Sequence, residues 1–266
     1  MILHHNGIRR SGTHAVTEWV LRHFDGVTGL NNSVQSCPLR TFKLTHLFID
    51  GDDAPEDIRK GAKLLDQGTD RYEKDHMVLT YEDWYEKMTL DQWIEATREE
   101  SDVLRSYSPI IHVVTLRSFY NMVASRIRQS ERARGRSGGW RASAVEGWIE
   151  MAEDYFHNEG LYVLYDFIGD SDYRDRKRQE LGLPEDHAER ADEGLQRIAH
   201  KKYGGVGSSF DLNDLDGAAS RMKTETRWQG YVTHPIMAEV LQNDRARELN
   251  MELFGWTLDS NGKLQS

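Results

Sequence analysis

Residues Gly7 to Val16, GIRRSGTHAV, decide the reading of this chain. A short apolar stretch leads into them, with Met1, Ile2 and Leu3 before Gly7 and Ile8 after it. An amphipathic run follows: Val16, Trp19, Val20, Leu21 and Phe24. That is a strand over 1–8, a tight glycine turn, and a helix over 13–24. Gly7 and Gly12 have the spacing of a phosphate-binding loop, whose backbone N–H groups and helix N-terminus cradle an anion. In the nucleotide-triphosphatase form, G-x-x-x-x-G-K-[ST], a lysine and then a metal-binding hydroxyl follow the second glycine. Here Thr13 takes the lysine's place and His14 the hydroxyl's. The cations come before the second glycine instead, as Arg9 and Arg10. The stretch reads as a holder of a phosphate-like anion without a magnesium–triphosphate clamp.

Outward from this loop, strand and helix patterns alternate. Residues 25–36 are rich in Gly and Asn and read as a connection. Residues 40–48, RTFKLTHLF, alternate between Pro38 and Asp50-Gly51 and read as a strand. Helices are predicted over 55–66 and 89–100, with a possible strand, HMVLTY, at 76–81. IIHVVTL at 110–116 is continuous, β-branched and preceded by Pro109, the strongest buried-strand signal in the chain. A helix over 118–132 presents Phe119, Met122, Val123 and Ile127 on one face. Ser143 and Glu146 have capping-box spacing, opening a helix to about Phe156. LYVLY at 161–165 is a further strand, followed by helices 173–181, ending at Gly182, and from Pro184 to about 200. A single helix is predicted over 235–253. The pattern predicts one α/β domain over 1–266: a parallel central sheet flanked by helices, a P-loop NTPase-like three-layer sandwich with a helical insertion or cap at about 50–100.

Composition narrows the function. The chain has 266 residues, 38% hydrophobic and 29% charged, with a formal net charge of −10. An acidic balance argues against a nucleic-acid binder. The single cysteine, Cys37, excludes an intrachain disulfide framework and suits a reducing compartment. No apolar run reaches membrane-spanning length, and the N-terminus reads as a strand rather than a signal peptide, so a cytoplasmic location is expected.

Two further signals join the loop. LRSFYNMVAS follows the IIHVVT strand, placing Arg117 at a strand's C-terminal end and Ser125 two helical turns on, where both can reach one anion. Lys202-Tyr203-Gly204 through Gly207 reads as a glycine loop closing on an anion. Together the three resemble the sulfotransferases that use 3′-phosphoadenosine 5′-phosphosulfate (PAPS). Arg10-Ser11-Gly12-Thr13 is similar to that family's (K/R)-S-G-T after the first strand. Arg117 and Ser125 match its arginine followed eight residues later by a serine. Lys202 to Gly207 matches its C-terminal basic G-x-x-G. LYVLYD with LGLP, over 161–184, resembles a further family segment, and Lys43-Leu44-Thr45-His46-Leu47 is similar to the strand end that carries the catalytic histidine.

The resemblance implies sulfuryl transfer from PAPS to a hydroxyl or amine of a small-molecule or glycan acceptor, leaving 3′,5′-bisphosphoadenosine (PAP). It implies that Arg9, Arg10, Ser11, Gly12, Thr13, His14 and Ala15 hold the 5′ end through backbone N–H groups and the Thr13 hydroxyl. Arg10 then stands for the usual lysine, stabilising charge on the bridging oxygen without donating a proton. The resemblance further implies that Arg117, Ser125 and Lys202 bind the 3′-phosphate, with Tyr203 and Gly204 in the same loop, and that His46 is the general base. No metal is implied. Ala15 stands where many members carry a tryptophan near the adenine, which leaves Tyr165 or Phe210 to cover the ring. His14 contacts the sulfonate or caps the helix.

Other residues take blander readings. His112 is expected to be a satisfied core residue, and His4 and His5 to lie at the edges of the first strand. Arg126, Arg128, Arg132, Arg134 and Arg136 read as a solvated helix end. Two other functions are carried: a P-loop kinase-like phosphotransferase, opposed by the missing loop lysine and metal-binding hydroxyl, and a non-catalytic nucleotide-binding relative.

Overall fold

A computed structural model of the chain describes residues 2–8, 11–25, 27–31, 46–49, 52–53, 76–82, 110–133, 142–200 and 227–266. Its centre is a sheet ordered β4-β3-β2-β5-β1-β6-β7. The strands are β1 (Ile2–Gly7), β2 (Val27–Asn31), β3 (His46–Ile49), β4 (Asp52–Asp53), β5 (His76–Glu82), β6 (Ile110–Leu116) and β7 (Tyr162–Leu164). The run from β2 through β5, β1 and β6 to β7 is parallel, while β3 and β4 join antiparallel at one edge. The helices are α1 (Thr13–Leu21), α2 (Phe119–Ala133), α3 (Ser143–Asn158), α4 (Ser171–Glu180), α5 (Ala188–His200), α6 (Pro235–Val240) and α7 (Asp244–Phe254). Helices flank the sheet, with α1 packed on β1, β5 and α5, and α3 on β6 and α7.

The central strands are buried, so their sequences run apolar or carry polar groups that pair. Leu3 and His5 face α1, where His5 Nδ1 hydrogen-bonds with Thr17 Oγ1 at 2.8 Å and Nε2 with Thr115 Oγ1. His4 turns the other way, onto its register partner His112, with ring centroids 5.1 Å apart and planes at 75°. Both His4 and His5 are fully buried, so they belong to the core and not to strand edges. The cause is topological: β1 has neighbours on both sides.

Residues 119–127 of α2 are buried all round, Arg126 included. The start of the basic run is therefore interior rather than a solvated helix end. Trp19, Phe119, Tyr120, Trp148 and Tyr162 are among the fully buried rings, each contributing about 1.5–3 kcal/mol or more by leaving water.

Several boundaries differ from the sequence reading. The Gly/Asn-rich stretch after 25 holds β2, paired on both sides. The strand expected at 76–81 is β5, and it lies between β2 and β1 in the sheet, inside the stretch read as an insertion at about 50–100. Ser143 is not a cap: Ala142 precedes α3 in αR geometry without a side-chain cap bond. The predicted C-terminal helix is two, because the Asn243 side chain accepts from Ala246 N and starts α7 afresh. Gly255, at φ 72°, ends α7, and a short hairpin pairs Thr257–Leu258 with Leu264–Gln265. The predicted helices at 55–66 and 89–100 lie outside the described residues. No helix among the described residues is long and apolar enough to cross a membrane.

Candidate functional site

The chain leaves β1 through α1 toward β2, on one side of β1, and leaves β6 through α2 and α3 toward β7, on the other. β1 and β6 are neighbours. The connections therefore diverge between them, and the C-terminal edge at such a switch point is where open α/β sheets bind ligands. The two segments emerging there are the Gly7–Thr13 loop and Arg117-Ser118.

The loop is built from short contacts. Asn6 Oδ1 accepts from Gly7 N at 2.9 Å, and Ser11 N donates to the Ile8 carbonyl at 3.0 Å. Ala15 N and Val16 N both donate to the Gly12 carbonyl, at 2.9 and 3.2 Å. Those bonds are spent on the turn; the N–H groups of Gly12, Thr13 and His14 have no backbone acceptor among the described residues. Gly12 has φ 92°, and a Cβ there would run into the Tyr165 ring. A Cβ on Gly7 would stand 3.1 Å from Thr13 Oγ1 and from the Thr115 carbonyl. Gly12 is thus fixed both by space and by its backbone, while Gly7 leaves a Cβ only tight room.

Three polar groups here are buried without a hydrogen-bond partner among the described residues: Asn6 Nδ2, Ser11 Oγ and Thr13 Oγ1. Unpaired buried groups are costly, and a cluster of them at a helix N-terminus is suited to holding an anion.

Arg117 is 5% exposed, and its guanidinium carbon lies 5.2 Å from the centroid of Tyr165. Tyr165 opens a short 3-10 turn after β7 and is itself buried, set against Gly12 and Arg117. One ring thereby touches both the loop and the arginine. The Arg117 carbonyl accepts from Trp148 Nε1 at 2.7 Å. The next residue, Ser118, donates from N and Oγ to the two carboxylate oxygens of Asp166, at 2.8 and 2.6 Å. Asn121 Nδ2 donates to Ser118 Oγ at 3.0 Å.

Among the expected site residues, Ser11, Gly12, Thr13, Tyr165 and Arg117 come together at this edge. Ala15 is buried and turns its N–H inward. His14 is the second residue of α1. Ser125 is buried on α2. His46 opens β3, paired in register with Asn31 at the C-terminal end of β2, which puts its backbone at the same edge of the sheet. Arg9, Arg10, Lys202, Tyr203, Gly204 and Phe210 lie outside the described residues. Trp148, Asp166 and Asn6 were missed by sequence reasoning. For Asp166 a signal existed, an acid directly after a buried strand; for Trp148 none did.

Fold and site define an α/β protein with a glycine loop and a buried arginine at the switch point of a parallel sheet. The chain matches no protein-family model, no curated protein and no solved structure.

Proposed function

We propose that the protein is a sulfotransferase taking PAPS as donor and an alcohol or amine as acceptor, on a P-loop NTPase-like three-layer fold. The observation that carries this reading is the Tyr165 ring lying against both the Gly12 loop and Arg117. Two anion-binding elements share one edge, which suits a nucleotide with phosphates at both its 5′ and 3′ ends. The unpartnered Ser11 and Thr13 hydroxyls fit the 5′ end.

In this reading Ser11, Thr13 and the N–H groups of 12–14 hold the 5′ end. Arg10 places positive charge beside the bridging oxygen, where charge develops. Arg117, Ser125 and Lys202 hold the 3′-phosphate. His46 takes the acceptor's proton at an imidazole nitrogen. When bound, PAPS supplies the activated sulfuryl group.

The test is thermal. PAP at 100 times its dissociation constant is expected to add about 2.7 kcal/mol of stability. Stabilisation by magnesium-ATP and none by PAP would replace this reading with the kinase-like one. PAP binding without transfer to any hydroxyl or amine in a broad acceptor screen would leave the non-catalytic relative.

A further inference from the structure

The peptide between Arg117 and Ser118 is held at both ends by side chains from other elements. Its carbonyl accepts from the Trp148 indole of α3, and its N–H donates to Asp166, beyond β7. Trp148 is fully buried and Asp166 2% exposed. The next N–H, of Phe119, donates to Asn250 Oδ1 at 2.7 Å. Asp166 and Asn250 thus take two of the N–H groups at the start of α2, where a helix terminus attracts an anion. With those two N–H groups taken, the Arg117 side chain is the cationic group at this strand end for a ligand phosphate. Asp166 adjoins Tyr165, so one short turn holds the Ser118 backbone with its carboxylate and the Arg117 guanidinium with a ring.

We infer that Trp148 and Asp166 are positioning residues that fix the Arg117 backbone so that its guanidinium is pre-ordered for the 3′-phosphate. The inference rests on the reading of Arg117 proposed above. A side chain ordered before binding gives up less conformational freedom when it captures its ligand. Losing either hold leaves Arg117 present but less well aimed, and only the 3′-phosphate feels the change.

The readout is the ratio of two dissociation constants, for adenosine 5′-monophosphate and for PAP, measured by calorimetry. The wild type should prefer PAP at least about tenfold, as a charge-assisted phosphate contact warrants. Arg117→Ala should lower the ratio at least about fivefold, leaving the share that Ser125 and Lys202 supply, and an unchanged ratio in that variant would overturn the inference. Trp148→Phe and Asp166→Asn should each lower it at least about threefold, with affinity for the monophosphate kept within about twofold. A wild-type ratio near one would remove Arg117 from any 3′-phosphate site and overturn the functional reading together with this inference. A high wild-type ratio kept by both variants would overturn the positioning role alone. Equal weakening of both nucleotides would mark the two residues as merely structural and also overturn it. Trp148→Phe removes little volume and decides the question by itself if Asp166→Asn does not fold.

Discussion

Gly12 and Tyr165 are fitted to each other: a Cβ added to Gly12 would collide with Cγ, Cδ2 and Cε2 of the ring. The contact joins the β1–α1 loop to the turn after β7, and the same ring carries Arg117. Gly12 also sits at φ 92°. Gly12→Ala therefore combines backbone strain with overpacking and should cost about 2–5 kcal/mol of stability. In a Tyr165→Ala background the steric part is relieved, so the same substitution should cost at least about 1 kcal/mol less. Chemical denaturation of the four proteins measures this, and equal costs in both backgrounds would disprove the coupling.

Ser11 and Thr13 should behave oppositely for stability and for binding. Their buried hydroxyls have no hydrogen-bond partner among the described residues. Ser11→Ala and Thr13→Val remove an unmet group and should hold or raise stability, by up to about 1–3 kcal/mol. The same changes should weaken PAP binding, since each deletes a donor. Melting curves with and without PAP separate the two effects. A variant that is less stable and binds normally would mean the hydroxyls serve the fold.

Asn250 ties two distant segments together. It accepts from Phe119 N at 2.7 Å and donates to the Trp256 carbonyl at 2.6 Å, tying the start of α2 to the segment after α7. Asn250→Leu strands a buried donor and a buried acceptor and should cost about 2–5 kcal/mol. Urea unfolding gives the cost; a loss well under 1 kcal/mol would show that the two groups find other partners.

Two buried histidines should make the protein sensitive to acid. His4 is lowered to about 3, by burial first and by His112 second. His23 is lowered to about 4, chiefly by burial. The Pro184 carbonyl it donates to opposes this, while Arg178, His187 and Arg190 add to it. Both are neutral in the fold at pH 7 and take up a proton on unfolding once the pH drops below their ordinary value of 6.5. Their contribution is thus complete above that pH and is lost as pH falls, down to about 4 for His23 and about 3 for His4. Each steepens the loss by up to about 1.4 kcal/mol per pH unit. His4→Leu should flatten the acid limb of a stability–pH curve relative to wild type. Parallel curves below pH 6 would show that His4 does not take part.

Continuous apolar runs and single glycines were legible in the sequence. Ile110–Leu116 is a strand with the bounds its β-branched run predicted, and α4 stops where Gly182, at φ 64°, permits. β2 was not legible: VTGLN has a central glycine and a terminal asparagine, and becomes a strand through pairing with β5 and β3. The break between α6 and α7 was hidden because apolar periodicity runs on across it, whereas the Asn243 cap is a local hydrogen bond.

The sequence by itself determined that residues 7–16 form a strand–turn–helix loop, since glycine placement and apolar period act within a few residues of chain. Only the tertiary structure decided what surrounds that loop. Tyr165 reaches Gly12 across 153 residues, Asp166 reaches Ser118 across 48, and Trp148 reaches Arg117 across 31. Such pairings follow from strand order and side-chain fit, and neither leaves a period in the local sequence. The glycine loop could be read alone; its partnership with a fixed arginine exists only once β1 and β6 lie side by side.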